Sequence, residues 1–154
     1  MRSSVDVHNY LLERDVPHEL VPITRRLPSP DRWAGALGLP PEQVGRVVMF
    51  ESAAGAVAAL VRSDVSPNPS RVAEVAESDA LMEMSPGRAT DVTGFLSEAI
   101  PPAGLPTEVL VVVDRPLAEQ EVLYFPGGEP SSVLKIRARD MTRATKARVA
   151  PITP

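Results

Sequence analysis

Cysteine is absent from the chain, and its absence excludes a disulfide framework, thiolate metal ligands and cysteine nucleophiles. Histidine is nearly absent. His8 and His18 are the only two; they lie near the N-terminus without the paired spacing of a metal motif, so no zinc or haem site is expected. A Ser-His-Asp triad would have to recruit one of these two residues, which are better read as surface or helix-edge positions. Aromatic residues make up 4% of the chain, so the core must be built mainly from Val, Leu, Ala and Met. Lysine occurs only at Lys135 and Lys146, and arginine supplies the remaining cations. Long apolar runs are missing too. The longest, residues 53–61 and 109–113, are far too short to cross a bilayer, and the charged N-terminus has no secretory apolar region. These features predict a soluble, cytoplasmic protein with no membrane partner. Gly127-Gly128 is a lone pair without a phosphate-binding continuation, which argues against Rossmann and P-loop folds.

What is present is ordinary for a globular protein, with 44% hydrophobic and 23% charged residues over 154 positions. That suits one domain around one core, assigned to residues 1–150 with 151–154 as a C-terminal tail. The net charge of −4 argues against non-specific adhesion of the whole molecule to nucleic acid. A local basic run of Arg137, Arg139, Arg143, Lys146 and Arg148 fits either an RNA backbone contact or a solvated helix face.

The seventeen prolines are dispersed, and several mark element starts. Ser29-Pro30, Asn68-Pro69 and Ser85-Pro86 each set a capping side chain before a proline suited to a first helical turn. Helices are expected over 30–37, 69–76 and 86–92, with Gly38 and Gly94 as left-handed stops. An earlier helix over 4–14 presents Val7, Tyr10 and Leu11 on one face. Strands are expected over 18–23, 44–51, 56–62, 109–114, 122–125 and 132–137, with a hairpin turn at 51–55 and a terminal helix over 140–149. The uniformly apolar 109–113 run fits a strand buried on both faces. Without regular βαβ spacing, the reading is an α+β domain with a mixed, partly barrel-like sheet flanked by helices. The segment 95–107, with Pro101, Pro102, Gly104 and Pro106, reads as a stiff loop of the kind that carries binding sites. The carboxylates Glu51, Glu98, Asp114 and Glu129 show no acid–base spacing.

The order of local patterns resembles the YbaK/ProX family, which includes the editing domain associated with prolyl-tRNA synthetase. The resemblance rests on Tyr10-Leu11-Leu12 with Val16-Pro17-His18-Glu19-Leu20, on 34–39 with Pro41-Glu42-Gln43-Val44, and on Val47-Val48-Met49-Phe50. It continues through Thr93-Gly94-Phe95 with 100–106, then Val111-Val112-Val113-Asp114, Gly127-Gly128 and Val133-Leu134-Lys135-Ile136. It spans almost the whole chain.

The resemblance implies hydrolysis of the ester joining a wrong amino acid to tRNA, without metal or organic cofactor. The tRNA acceptor end is then the expected partner, and an aminoacyl-tRNA synthetase a second one. It places Arg46 at the position of the family's catalytic lysine. Arginine keeps the charge but has a different reach and does not deprotonate. The substrate-binding set it implies is Thr93, Gly94, Phe95, Glu98, Pro102, Gly104, Asp114, Gly128 and Ser132. Glu98 replaces a loop glycine, and Ser131 or Ser132 replaces a histidine. Read without the family, Arg46 is a strand-end cation paired with Glu42 or another surface carboxylate, and Asp114 is a turn cap. The departures leave two expectations: an aminoacyl-tRNA deacylase with a divergent site, or a non-catalytic module of the same fold that binds tRNA or a synthetase.

Overall fold

A computed structural model describes all residues, 1–154. The chain opens with helix α1 (Ser4–Glu13). The Ser3 side chain accepts the Val5 N–H at 3.3 Å, while Asp6 accepts the Ser3 N–H at 2.8 Å, satisfying amides that a helix start leaves orphaned. Strand β1 (His18–Pro22) follows, then α2 (Trp33–Leu37), β2 (Gly45–Ser52) and β3 (Gly55–Arg62). Helix α3 (Pro69–Ala76), the two-residue β4 (Met82–Glu83) and α4 (Pro86–Thr93) come next. The C-terminal part runs β5 (Leu110–Asp114), α5 (Arg115–Ala118), β6 (Val122–Pro126), β7 (Ser132–Arg137), α6 (Ala138–Thr145) and β8 (Arg148–Ala150).

The helix starts at 69 and 86 follow the proline-and-cap pattern, with Asn68 and Ser85 accepting backbone N–H groups. The start at Pro30 differs. The Ser29 hydroxyl donates to the Asp31 carboxylate rather than capping the backbone, and residues Pro30–Arg32 form a 3-10 turn before α2 begins at Trp33. The terminal helix also ends earlier than expected. Lys146 takes a left-handed conformation, φ 55°, and the chain leaves α6 to form β8, paired parallel to β5.

The strands make two sheets. One is antiparallel in the order β1-β7-β6; the other is mixed, in the order β4-β2-β3-β5-β8. Both faces of the larger sheet are covered, as the apolar β3 and β5 sequences require. Ala58, Leu60, Val111 and Val113 join a cluster with Val7 and Leu11 of α1 and with Phe125, Leu134 and Met141. On the other face Val57, Ala59, Val61 and Val112 pack with Val72 of α3 and with Ile152. The sheets meet where Val44 bridges Tyr124 in parallel. A side chain at Gly45 would overlap the Phe125 ring, so glycine is required there by close approach rather than by φ.

Residues 151–154, read from the sequence as a tail, are tied down. Ile152 is fully buried, its N–H donates to Asp114 Oδ1 at 2.9 Å, and its carbonyl accepts the Asn68 N–H at 2.7 Å. Replacing Ile152 by Ala is expected to destabilise the domain by about 2–5 kcal/mol, the range for emptying a closed apolar site. Denaturant unfolding of the variant measures this, and a loss under about 0.5 kcal/mol would show that the C-terminus is a dispensable tail.

Candidate functional site

Trp33 and Val44, buried together with Leu27 and Tyr124 against them, form one wall of a cavity of about 380 Å³. That volume falls within the range of small-molecule sites. The cavity lies where β2 emerges past the end of β4, which pairs only with Phe50 and Glu51. The start of β2 contributes Val44 to Val47, the 3-10 segment Ser97–Ala99 contributes the opposite rim with Ile100, and β6 and the start of β7 close the far side. The Trp33 Nε1–H donates to the Pro28 carbonyl at 2.9 Å, which fixes the indole and the 26–30 segment together.

Four charged residues line the cavity: Arg26, Arg46, Glu98 and Glu129. Glu98 lies 3.9 Å from Arg26, both side chains being largely exposed, so the pair is loose and solvent-screened. Glu129 accepts the Ser4 N–H at 3.2 Å. Arg46 is the most enclosed of the cations. Its Nη2 donates to the Val65 carbonyl at 3.2 Å, while its Nε is buried with no acceptor. Burial draws its pKa below the ordinary arginine value, and the charge of Glu83 opposes that shift. The carbonyl that holds Arg46 is presented by a turn braced by the Arg62–Asp64 fork, with Nε to Oδ1 at 3.0 Å and Nη2 to Oδ2 at 2.7 Å.

Of the residues singled out in the sequence, the structure brings Arg46, Glu98 and Ser132 to this cavity. Others serve to hold its walls. Thr93 is buried, donates to the Ala89 carbonyl at 2.8 Å and accepts the Phe95 N–H at 3.2 Å. Gly94 ends α4 with φ 81°. Phe95 is fully buried in the main core, and Gly128, φ 96°, packs against Val7, Ser3 and Phe95. Pro102 and Gly104 line a different cavity. Asp114 lies away from both, buried, accepting Ile152 N–H and the Thr153 hydroxyl at 2.7 Å. Lys135 lies on β7 between Glu19 and Tyr124 and lines neither cavity.

Sequence reading missed Trp33, Tyr124 and Arg26, which lie far apart in the chain and carry no motif. It also missed Arg2. The Arg2 guanidinium lies 4.6 Å from the Phe95 ring centroid, and its Nη1 donates to the carbonyls of Gly104 and, at 3.5 Å, Thr93. Its backbone N–H donates to Gly94 O at 2.9 Å. One side chain thus ties both ends of the 93–104 loop, whose middle lines the cavity.

An α+β domain with this two-sheet closure and a cavity at the seam defines the class of protein. The aminoacyl-tRNA editing domain model matches residues 26–144, and the chain belongs to that family. No curated protein matches the sequence. Among solved structures, the fold is shared with a hypothetical protein (TM-score 0.89, 23% identity, covering 97% of this chain and 99% of that one). It is shared also with a candidate trans-editing enzyme for prolyl tRNA synthetase (TM-score 0.86, 20% identity, covering 98% and 96%). A protein from work on grafting linear epitopes onto scaffolds has the same fold (TM-score 0.86, 22% identity, covering 98% and 96%).

Two predictions follow from the walls of the cavity. Arg2→Ala is expected to speed amide exchange across 93–104 by about tenfold or more, since it removes two charge-assisted bonds and the contact with the Phe95 ring at once. Hydrogen exchange reads this directly, and Arg2→Lys should restore part of the protection. Asp64 titrates below its ordinary 3.8, chiefly because Arg62 donates to it. A depressed carboxylate stabilises the fold above its unfolded pKa, and the contribution is lost as pH falls through the folded value. Wild type should therefore lose its stability advantage over Asp64→Asn below about pH 3.8, as followed by thermal unfolding against pH.

Proposed function

We propose that the chain is an aminoacyl-tRNA deacylase of the YbaK/ProX type, acting on the ester of a mischarged tRNA whose acceptor end enters the cavity beside Arg46. The observation that carries this reading is that Arg46, at its family position, lines the cavity as its most enclosed cation, in a chain matched by the editing-domain model over residues 26–144. An ester carbonyl attacked by water becomes a tetrahedral oxyanion, and donors aimed at that oxygen lower the barrier. Arg46 supplies one such cation. The Ile100 residue lining the cavity is buried, and its N–H has no acceptor within the protein, so it is a second candidate donor.

Arg46 cannot act as the base. Burial lowers its pKa, but a guanidinium starts too far above neutrality to give up its proton. The proton of the attacking water then passes through the substrate's terminal hydroxyl, which hands its own proton to the departing ribose oxygen, with the protein contributing orientation and charge. Glu98 and Ser132 are the residues placed to meet the amino-acid or ribose end. Thr93, Gly94, Phe95 and Gly128 support the cavity without reaching it. The tRNA acceptor end is the partner in this reading, with a synthetase as a further one, and the reaction requires no metal or organic cofactor.

A second reading, a non-catalytic binding module, is favoured by the bond that turns the Arg46 guanidinium toward Val65. Deacylation of a panel of mischarged tRNAs by wild type, Arg46→Lys and Arg46→Ala separates the two. Wild-type turnover falling by about 10²–10³ in Arg46→Ala, at unchanged melting temperature, is the expected result. Turnover confined to Arg46→Lys would mean a site that has lost its chemistry but kept its shape. Silence from all three, with tRNA binding retained, would establish the binding module.

A further inference from the structure

A second cavity, about 220 Å³, opens between residues 102–107, the end of α1 and the end of α6. Its charged lining consists of Arg14 and Lys146, and no carboxylate lines it, although the chain carries a net charge of −4. Backbone donors add to this. Ala103, Gly104 and Leu105 are buried, and none of their N–H groups finds an acceptor within the protein. Amides that the protein leaves unpaired must find water or a ligand, and the residues that carry these line the cavity. Successive N–H groups around a left-handed residue form anion-binding concavities, and Gly104 has φ 86°.

The protein's own hold on Arg14 is partial. The guanidinium stacks 3.6 Å from the Tyr10 ring centroid and donates Nη1 to the Tyr10 carbonyl at 3.0 Å, with Glu13 4.0 Å away. The rest of its donor fork is left for other acceptors. A cation at a helix C-terminus complements the helix dipole, which accounts for where Arg14 and Lys146 lie. It does not account for three successive residues with unpaired amides lining a pocket without carboxylates.

We infer that this cavity is an anion site that takes a phosphate group, held by Arg14, Lys146 and the 103–105 amides. The phosphate comes from a phosphodiester of the same RNA whose acylated end enters the first cavity, and that part rests on the deacylase reading. The connection is covalent and short: Ile100 lines the first cavity and Pro102 the second. A free phosphate ion is the other source of the same chemistry.

The test titrates inorganic phosphate into the ¹⁵N-labelled full chain, wild type and Arg14→Gln/Lys146→Gln, after both are shown to melt alike. Phosphate should shift the amides of Ala103, Gly104 and Leu105, and the double variant should bind it about tenfold or more weakly. In parallel, tRNA binding is measured against salt. The slope should become shallower by about 1 for each cation removed, and KM for a mischarged tRNA should rise with kcat held. Phosphate binding lost in the variant, with salt slope and KM unchanged, would overturn the RNA source and assign the site to free phosphate. Amides that ignore phosphate, with an unaltered salt slope, would overturn the site itself. Phosphate bound at these amides by a protein that hydrolyses no charged tRNA would uphold the site and sink only the deacylase reading.

Discussion

The ring of Phe125 occupies the space that any side chain at position 45 would need, and the architecture of the cavity depends on that contact. It lets β6 close against the first residues of β2, where Val44 bridges Tyr124, so that two separately hydrogen-bonded sheets share one core. Had position 45 carried a side chain, its Cβ would overlap the tip of the Phe125 ring, and ring or strand would have to give way. Close-packed interiors resist such a change at a cost of about 1–3 kcal/mol. The same seam leaves the start of β2 uncovered by β4, and this uncovered stretch, with Trp33 and Tyr124 beside it, makes the site.

Around the seam, the chain stiffens its walls by means that do not depend on the ligand. The 95–107 loop buries Pro101 through Leu105, and its prolines reduce the entropy lost on ordering. Arg2 adds bonds to both ends of the loop. The next residues, Ser3 and Ser4, meet Gly128 and Glu129 on the opposite wall. The N-terminal arm therefore spans the two sides of the site, although neither Arg2 nor Ser3 lines the cavity. A cavity framed in this way is pre-organised, and the cost of ordering it is met in folding rather than in binding.

Most of the fold was legible because the local signals agree with the tertiary structure. Pro69 after Asn68 and the alternating run at Ser132 give α3 and β7 with the bounds the sequence suggests. The failures have physical causes. Lys146 ends α6 in a left-handed conformation without the glycine that usually marks it, so the strand beyond it was read as more helix. Ser29 spends its hydroxyl on Asp31, which removes the expected cap. Arg46, Glu98 and Ser132, singled out through a resemblance in residue order, line the cavity. Thr93, Phe95 and Asp114 belong to the same pattern but are used to bury and brace. Trp33, Tyr124 and Arg2 had no sequence signal, because their roles arise only when distant segments meet.

Formally the cavity is neutral, with two arginines against two glutamates, yet the four charges do not act equally. Arg26 and Glu98 are largely exposed, and water and salt screen them almost completely. Arg46 is half-buried, with one donor held by Val65 and another unpaired, where a charge acts through a lower effective dielectric. The half-buried charges are therefore Arg46 at the start of β2 and Glu129 across the cavity, so the two ends of the site differ in sign although the count is even. A guanidinium at this position retains the electrostatic part of a lysine's role and gives up proton transfer and free reach. Chemistry that survives such an exchange must depend on where charge develops in the substrate, and not on a side chain that takes a proton from it.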